Sequence, residues 1–161
     1  MTNQIKVRAT EELRQEHQSV LQLLNEMNRV LGSADTSDAV AWKPFFENAL
    51  EFFKRDVATH FKKEEDALFP ALEKYVGRES GPIAVMLNEH QQHNSLLKEL
   101  RESVAASDLT RVRSVWENFN PQLTMHIVKE DSVLFPMAEH MLTEEEWSRV
   151  GQQMEEINKA Q

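Results

Sequence analysis

Cysteine is absent from this chain of 161 residues. That removes disulfides, thiolate catalysis and sulfur-ligated iron clusters in one step. Glycine and proline are scarce, at 4 and 5 residues, so little stands in the way of long helices. No apolar run approaches the length that spans a membrane, and the N-terminus has no apolar stretch of signal-peptide length. A cytoplasmic location is expected, and a membrane is not an expected partner. Positive charge is short as well. Lys and Arg number 18 against 27 Asp and Glu, a net charge of −9. Such a surface repels phosphate backbones, which argues against nucleic acid as a partner.

What remains is the composition of a soluble globular protein, 40% apolar and 28% charged. The length suits one domain, expected over 1–161, with a sizeable core.

The chain contains two copies of one text. His60-Phe-Lys-Lys-Glu-Glu-Asp-Ala-Leu-Phe-Pro70 reads against His126-Ile-Val-Lys-Glu-Asp-Ser-Val-Leu-Phe-Pro136 at a constant offset of 66 residues. A second repeat sets Glu16-His17-Gln18 against Glu89-His90-Gln91 at an offset of 73. Each copy of the first repeat places a His four residues before a Glu, so the two side chains lie on one face of a helix. Two helical hairpins of this kind predict an all-α, antiparallel up-down four-helix bundle, whose core is a common place for metal sites.

Apolar periodicity fills in the helices. Thr10 reads as the N-cap of the first, whose stripe runs through Leu13, Val20, Leu24, Met27 and Leu31 around an inward His17. The second carries Phe46, Phe53, Val57, His60, Glu64 and Leu68 inward, and Pro70 bends or ends it. The central loop is 77–81. The third helix opens at Pro82 and faces Ile83, Met86, His90, His93, Leu97 and Leu100 inward. The fourth, capped by Asp108, faces Phe119, Leu123, His126, Glu130, Val133 and Met137 inward, with a kink expected at Pro121. The bundle spans 11–138. A last helix over 143–159 begins at a Thr143/Glu146 capping box and is expected to pack on the outside through Trp147, Val150 and Met154.

His17, His60, Glu64, His90, His126 and Glu130 are therefore the candidate metal ligands. One buried His on an apolar face reads as a hydrogen-bonded core residue, but four His and two Glu in matched positions do not. Each such group, left unsatisfied, costs about 1–3 kcal/mol. Imidazole with carboxylate and no thiolate suits a pair of iron or manganese ions, and zinc is a further substitute. The two Glu would bridge, with His17 and His60 on one metal and His90 and His126 on the other. An oxo or hydroxo bridge would make each metal about five-coordinate, with a position open to a small molecule. A ferritin-type site needs Glu three residues before each His, and Arg14, Val57, Leu87 and Leu123 stand there instead. His93 reads as a core residue or a neighbour of the ligands. The acidic runs 64–66 and 144–146 read as solvated faces, Glu64 apart.

At these residues the chain resembles the hemerythrin-like family, also called the HHE cation-binding family. The likeness rests on His17, on the His60-Phe-x-x-Glu64-Glu start with its Leu-Phe-Pro continuation, on His90, and on His126 with Glu130. Oxygen-carrying members have a second His four residues after the third-helix His, where Asn94 stands here. The pattern looks more like the bacterial branch with four His and two Glu, which includes iron-centre repair proteins. The resemblance implies a di-iron centre that meets a small diatomic or peroxide ligand under oxidative or nitrosative stress. A redox partner or an iron-acceptor protein is implied with it. The other reading is an iron donor or store without catalysis.

Overall fold

Apolar residues at helical spacing build five helices, with no strand among the described residues. The computed structural model describes the backbone of residues 2–161 and the side chains of residues 8–161. Helix α1 is Thr2–Ser33. Helix α2 covers 39–76, opening as Ala39–Phe52 and closing as Phe69–Val76. Helix α3 is Pro82–Ala105. Helix α4 covers 109–141, from Leu109–Lys129 to Phe135–Met141. Helix α5 is Glu144–Lys159. Among the described residues, no helix is long and apolar enough to cross a membrane.

The interior has three layers. One apolar cluster gathers Val20, Leu24 and Met27 of α1, Phe53 and Val57 of α2, Leu97 and Leu100 of α3, and Phe119 and Leu123 of α4. A second gathers Leu13, Leu68, Met86 and Leu134 with their neighbours. On α1 to α4 the inward His and Glu residues fall between the two. Helices α1 and α3 pass from the second cluster to the first, and α2 and α4 pass the other way. A buried polar layer is thus sealed at both ends by close-packed hydrocarbon, which keeps water out and the local dielectric low.

Helix α1 begins eight residues before the expected Thr10 cap, and Thr10 is buried within it. Helix α5 lies against α1 and buries Trp147, Val150 and Met154 in the second cluster, so it completes a core. Its N-terminus carries the expected capping box, with Thr143 and Glu146 satisfying each other's backbone amides. Changing Thr143 to Ala is expected to cost about 1 kcal/mol. A calorimetric scan should show Tm falling by about 2–4 °C. In the loop between α2 and α3, Gly77 and Gly81 hold φ of 79° and 78°, a region closed to most side chains.

The prolines do not end their helices. Helix α2 continues through Pro70 by widening to a π-turn over Glu64–Leu68, where the Phe69 N–H donates to the Glu64 carbonyl. The same turn recurs over Glu130–Leu134 ahead of Pro136. A proline ring crowds the carbonyl four residues back, and a wider turn relieves that contact. The α-helix also runs on through Pro121. The π-turn in α4 adds a residue and moves the inward register by one. Leu134 and Ala138 are buried, whereas Val133, expected inward, is 54% exposed and Met137 is half-buried.

Candidate metal centre

Four helices deliver one imidazole each, and α2 and α4 add one carboxylate each. The i, i+4 spacing sets His60 Nε2 at 2.9 Å from Glu64 Oε1 and His126 Nε2 at 2.9 Å from Glu130 Oε1. The other oxygen of each carboxylate crosses the bundle. Glu64 Oε2 lies 3.1 Å from His90 Nε2, and Glu130 Oε2 lies 3.0 Å from His17 Nε2. All six side chains are buried, both glutamates completely. They form two overlapping sets, His17, His60, Glu64 and Glu130, and Glu64, His90, His126 and Glu130. In each set, one donor atom per residue lies within 4.8 Å of the others. The structure therefore brings together all six sequence-selected residues, with both carboxylates common to both sets.

The Nδ1 atoms of the four imidazoles are all engaged. His60 donates to Glu16 at 2.6 Å, His90 to Glu65 at 2.6 Å, His126 to Glu89 at 2.8 Å and His17 to Asp131 at 2.7 Å. The donors form a closed ring. An acid on α1 orients the His of α2, one on α2 the His of α3, one on α3 the His of α4, and one on α4 the His of α1. A proton fixed on Nδ1 leaves the Nε2 lone pair facing the centre, the arrangement in which a metal-ligating His is held by a carboxylate behind it. Lys63 and Lys129 brace the ring. Lys63, itself buried, pairs with Glu12 at 2.8 Å and with Glu16, and Lys129 pairs with Glu89.

These acids were the part missed from sequence. Glu65, expected on a solvated face, instead holds His90. The signal lay in the repeats: an acid directly before His17 and His90, and an acid directly after Glu64 and Glu130. Removing one of them, as in Glu65→Ala, is expected to weaken metal binding by about 10–100-fold. Competition against a chelator of known affinity measures it.

The centre fits a cation pair. Both oxygens of Glu64 and Glu130 and the Nε2 atoms of His90 and His126 are buried with no hydrogen bond. The Nε2 atoms of His17 and His60 face each other at 3.0 Å, an acceptor against an acceptor when both protons sit on Nδ1. Only protons or cations make such a cluster favourable. Without a cation, protons are drawn in. Burial opposes charging of His17, but Asp131 and Glu130 outweigh it and push its pKa up to about 9. His60 rises to about 10 against its burial, through Glu64 and Glu16. His90 reaches about 9 against its burial, through Glu64 and Glu65. His126 also rises despite burial, through Glu130. Burial would raise the Glu64 pKa, yet the facing His60 and His90 hold it well below the usual range.

His93 is buried but belongs to neither set. Its ring stands edge-on to that of His126 at 5.0 Å and 87°. Burial, with the charges of His126 and His90 beside it, pulls its pKa down to about 4. Phe135 stacks on His17 at 5.5 Å, and Phe69 on His90 at 5.9 Å. His140 is exposed. Tyr75 is 46% exposed and donates to Glu146 at 2.8 Å.

An all-α bundle with a buried His-and-carboxylate centre is the architecture of a cation-binding helical protein. A family model for the hemerythrin HHE cation binding domain matches residues 8–138, and the chain belongs to that family. Among similar curated proteins, the iron-sulfur cluster repair protein DnrN of Neisseria gonorrhoeae is 32% identical over 89 residues, covering 50% of this chain and 57% of that protein. The iron-sulfur cluster repair protein YtfE of Escherichia coli O1:K1 is 30% identical over 98 residues, covering 55% and 44%. That of Salmonella paratyphi B is 33% identical over 92 residues, covering 52% and 42%. The chain thus spans about half the length of the curated relatives it matches. No solved structure matches at comparable stringency.

Proposed function

We propose that this chain is a non-haem di-iron protein that meets a small oxidant, dioxygen, nitric oxide or peroxide. The supporting observation is the set of four Nε2 atoms aimed at four carboxylate oxygens, with every Nδ1 donated outward. His17 and His60 would hold one iron, His90 and His126 the other, and Glu64 and Glu130 both. When bound, the pair supplies reversible one-electron chemistry and a coordination position for a small molecule.

The rest is the work of the chain. Glu64 and Glu130 tie the two positions together through one side chain each. The Nδ1–carboxylate ring locks the four imidazoles in one tautomer and orientation, so little reorganisation accompanies a change of charge. Glu16, Glu65, Glu89 and Asp131, beyond what Lys63 and Lys129 neutralise, would offset the positive charge that two divalent ions bring beyond Glu64 and Glu130. The flanking apolar layers exclude water. Manganese or zinc would fit the same donors.

Anaerobic loading with ferrous iron, metal analysis and optical titration with each oxidant test this reading. Two irons per chain and a spectral change with one of the oxidants are expected. Retention of neither iron nor manganese by protein from iron-replete cells would sink it. The relatives, named as iron-sulfur cluster repair proteins, favour a second reading, an iron donor for the repair of iron centres without catalysis. That reading predicts ready, complete transfer of ferrous iron to a chelator or apo-protein acceptor, and slow, partial release counts against it.

A further inference from the structure

The two halves of the centre share a plan but not a cover. The offset that maps His17 onto His90 maps Val20 onto His93. Each half has a groove beside it. A groove of about 160 Å³ is lined by Glu16, Val20, Asp56, Thr59 and Lys63 and reaches His60 itself. Its counterpart, about 320 Å³, is lined by Glu89, Pro121, Met125 and Lys129, and His93 stands where Val20 stands in the first. His126 does not line it. Size alone would make the second groove the way in, but the edge-on ring of His93 lies against His126.

A second departure from the repeat points the same way. His90 is stacked against Phe61 at 3.8 Å and 11° and against Phe69 at 5.9 Å. The repeat equivalent of Phe61 is Ile127, so His17 has the ring of Phe135 without a counterpart to Phe61. Two rings therefore stack on His90 and one on His17, and of the two grooves it is the one beside the His17/His60 half that reaches a ligand imidazole. The groove that reaches His60 is also lined by the Asp56 carboxylate and the Thr59 hydroxyl. Its one ammonium, Lys63, is already matched by Glu12 and Glu16.

We infer that divalent metal exchanges with solvent through the His17/His60 half, along the groove that ends at His60, and that His93 is a plug retaining the metal of the other half. The inference rests on the two-metal reading above. Exchange makes and breaks coordination bonds only, so no oxidant or reductant takes part.

The experiment loads the full chain anaerobically with ferrous iron, counts iron per chain, and follows its release to an excess of a ferrous-specific chelator by stopped flow. A count below two takes down the two-metal reading and this inference with it. With two bound, release should occur in two phases of equal amplitude, with rates separated by roughly tenfold, since the apolar shell governs access. His93→Val, which installs the residue of the His17/His60 half, should bring the slow phase toward the fast one. Val20→His should slow the fast phase. His93→Leu, which keeps the bulk and removes the nitrogens, should preserve the slow phase. Release in a single phase overturns the inference, as does a slow phase indifferent to His93→Val, and so does His93→Leu behaving like His93→Val. Circular dichroism melts establish that each variant is folded. Val20 and His93 lie on different helices, so either substitution decides the matter if the other fails to fold.

Discussion

Replacing Glu64 by Gln is expected to empty both metal positions while leaving the helices in place. Glu64 spends one oxygen on each half, Oε1 at 2.9 Å from His60 and Oε2 at 3.1 Å from His90. Loss of a terminal His removes a donor from one position. Loss of the Glu64 charge weakens both, and it does so in a water-excluded layer where charge counts most. Gln has nearly the same shape, so it leaves no cavity. Its amide N–H can donate to the Nε2 of His60 or His90, giving that imidazole a partner that needs no metal. The loss of affinity should exceed the ~100-fold upper end for a partner behind a ligand. Metal analysis after anaerobic loading should find less than one iron per chain, against the two expected of the parent. His60→Ala should retain the metal of the His90/His126 set. Two firmly bound irons in Glu64→Gln would remove the shared carboxylate from the account. Glu130→Gln, which breaks the same tie from the opposite helix, should repeat the result.

The positions behind this expectation were legible in the sequence for a simple reason. His and Glu four residues apart share a helix face, and the two copies pointed that face inward twice over. The ring of acids behind the imidazoles was not legible as contacts. Glu16 and Glu89 adjoin an inward His, and Glu65 and Asp131 adjoin an inward Glu, so a helical wheel puts them at the edge of the stripe. Only the neighbouring helix shows that they reach across to another His. The π-turns were hidden because periodicity assumes a constant turn. The one added residue at Glu130–Leu134 sends Val133 to solvent and Leu134 to the core. Thr10 misled because a Thr before an acidic, apolar-periodic stretch has the form of a cap, and nothing local distinguishes it from a Thr buried within a longer helix. His93 could be seen as inward, but its edge-on contact with His126 depends on how α3 and α4 pack.

Above neutral pH, the metal-free protein should lose stability as the pH rises. His17, His60 and His90 titrate near 9, 10 and 9 in the folded chain, against about 6.5 when unfolded. A folded pKa above the unfolded value stabilises the fold in full below the unfolded pKa, and that contribution fades as pH rises through the folded pKa. The metal-free chain should therefore lose Tm steadily between about pH 6.5 and 10, as the protons bridging imidazole to carboxylate depart and acceptors are left facing acceptors. Iron competes with those same protons for Nε2, so its affinity should climb across the interval. The gap in Tm between loaded and metal-free protein should widen with pH, because ligand binding stabilises in proportion to the logarithm of affinity. Calorimetry of both forms across this range measures the two slopes. In Glu64→Gln, the charge that raises His60 and His90 is gone, and the alkaline decline of the metal-free form should shrink. A metal-free Tm that stays flat or rises toward pH 10 would mean that the imidazoles are neutral in the folded chain and that the buried acceptors find partners other than protons.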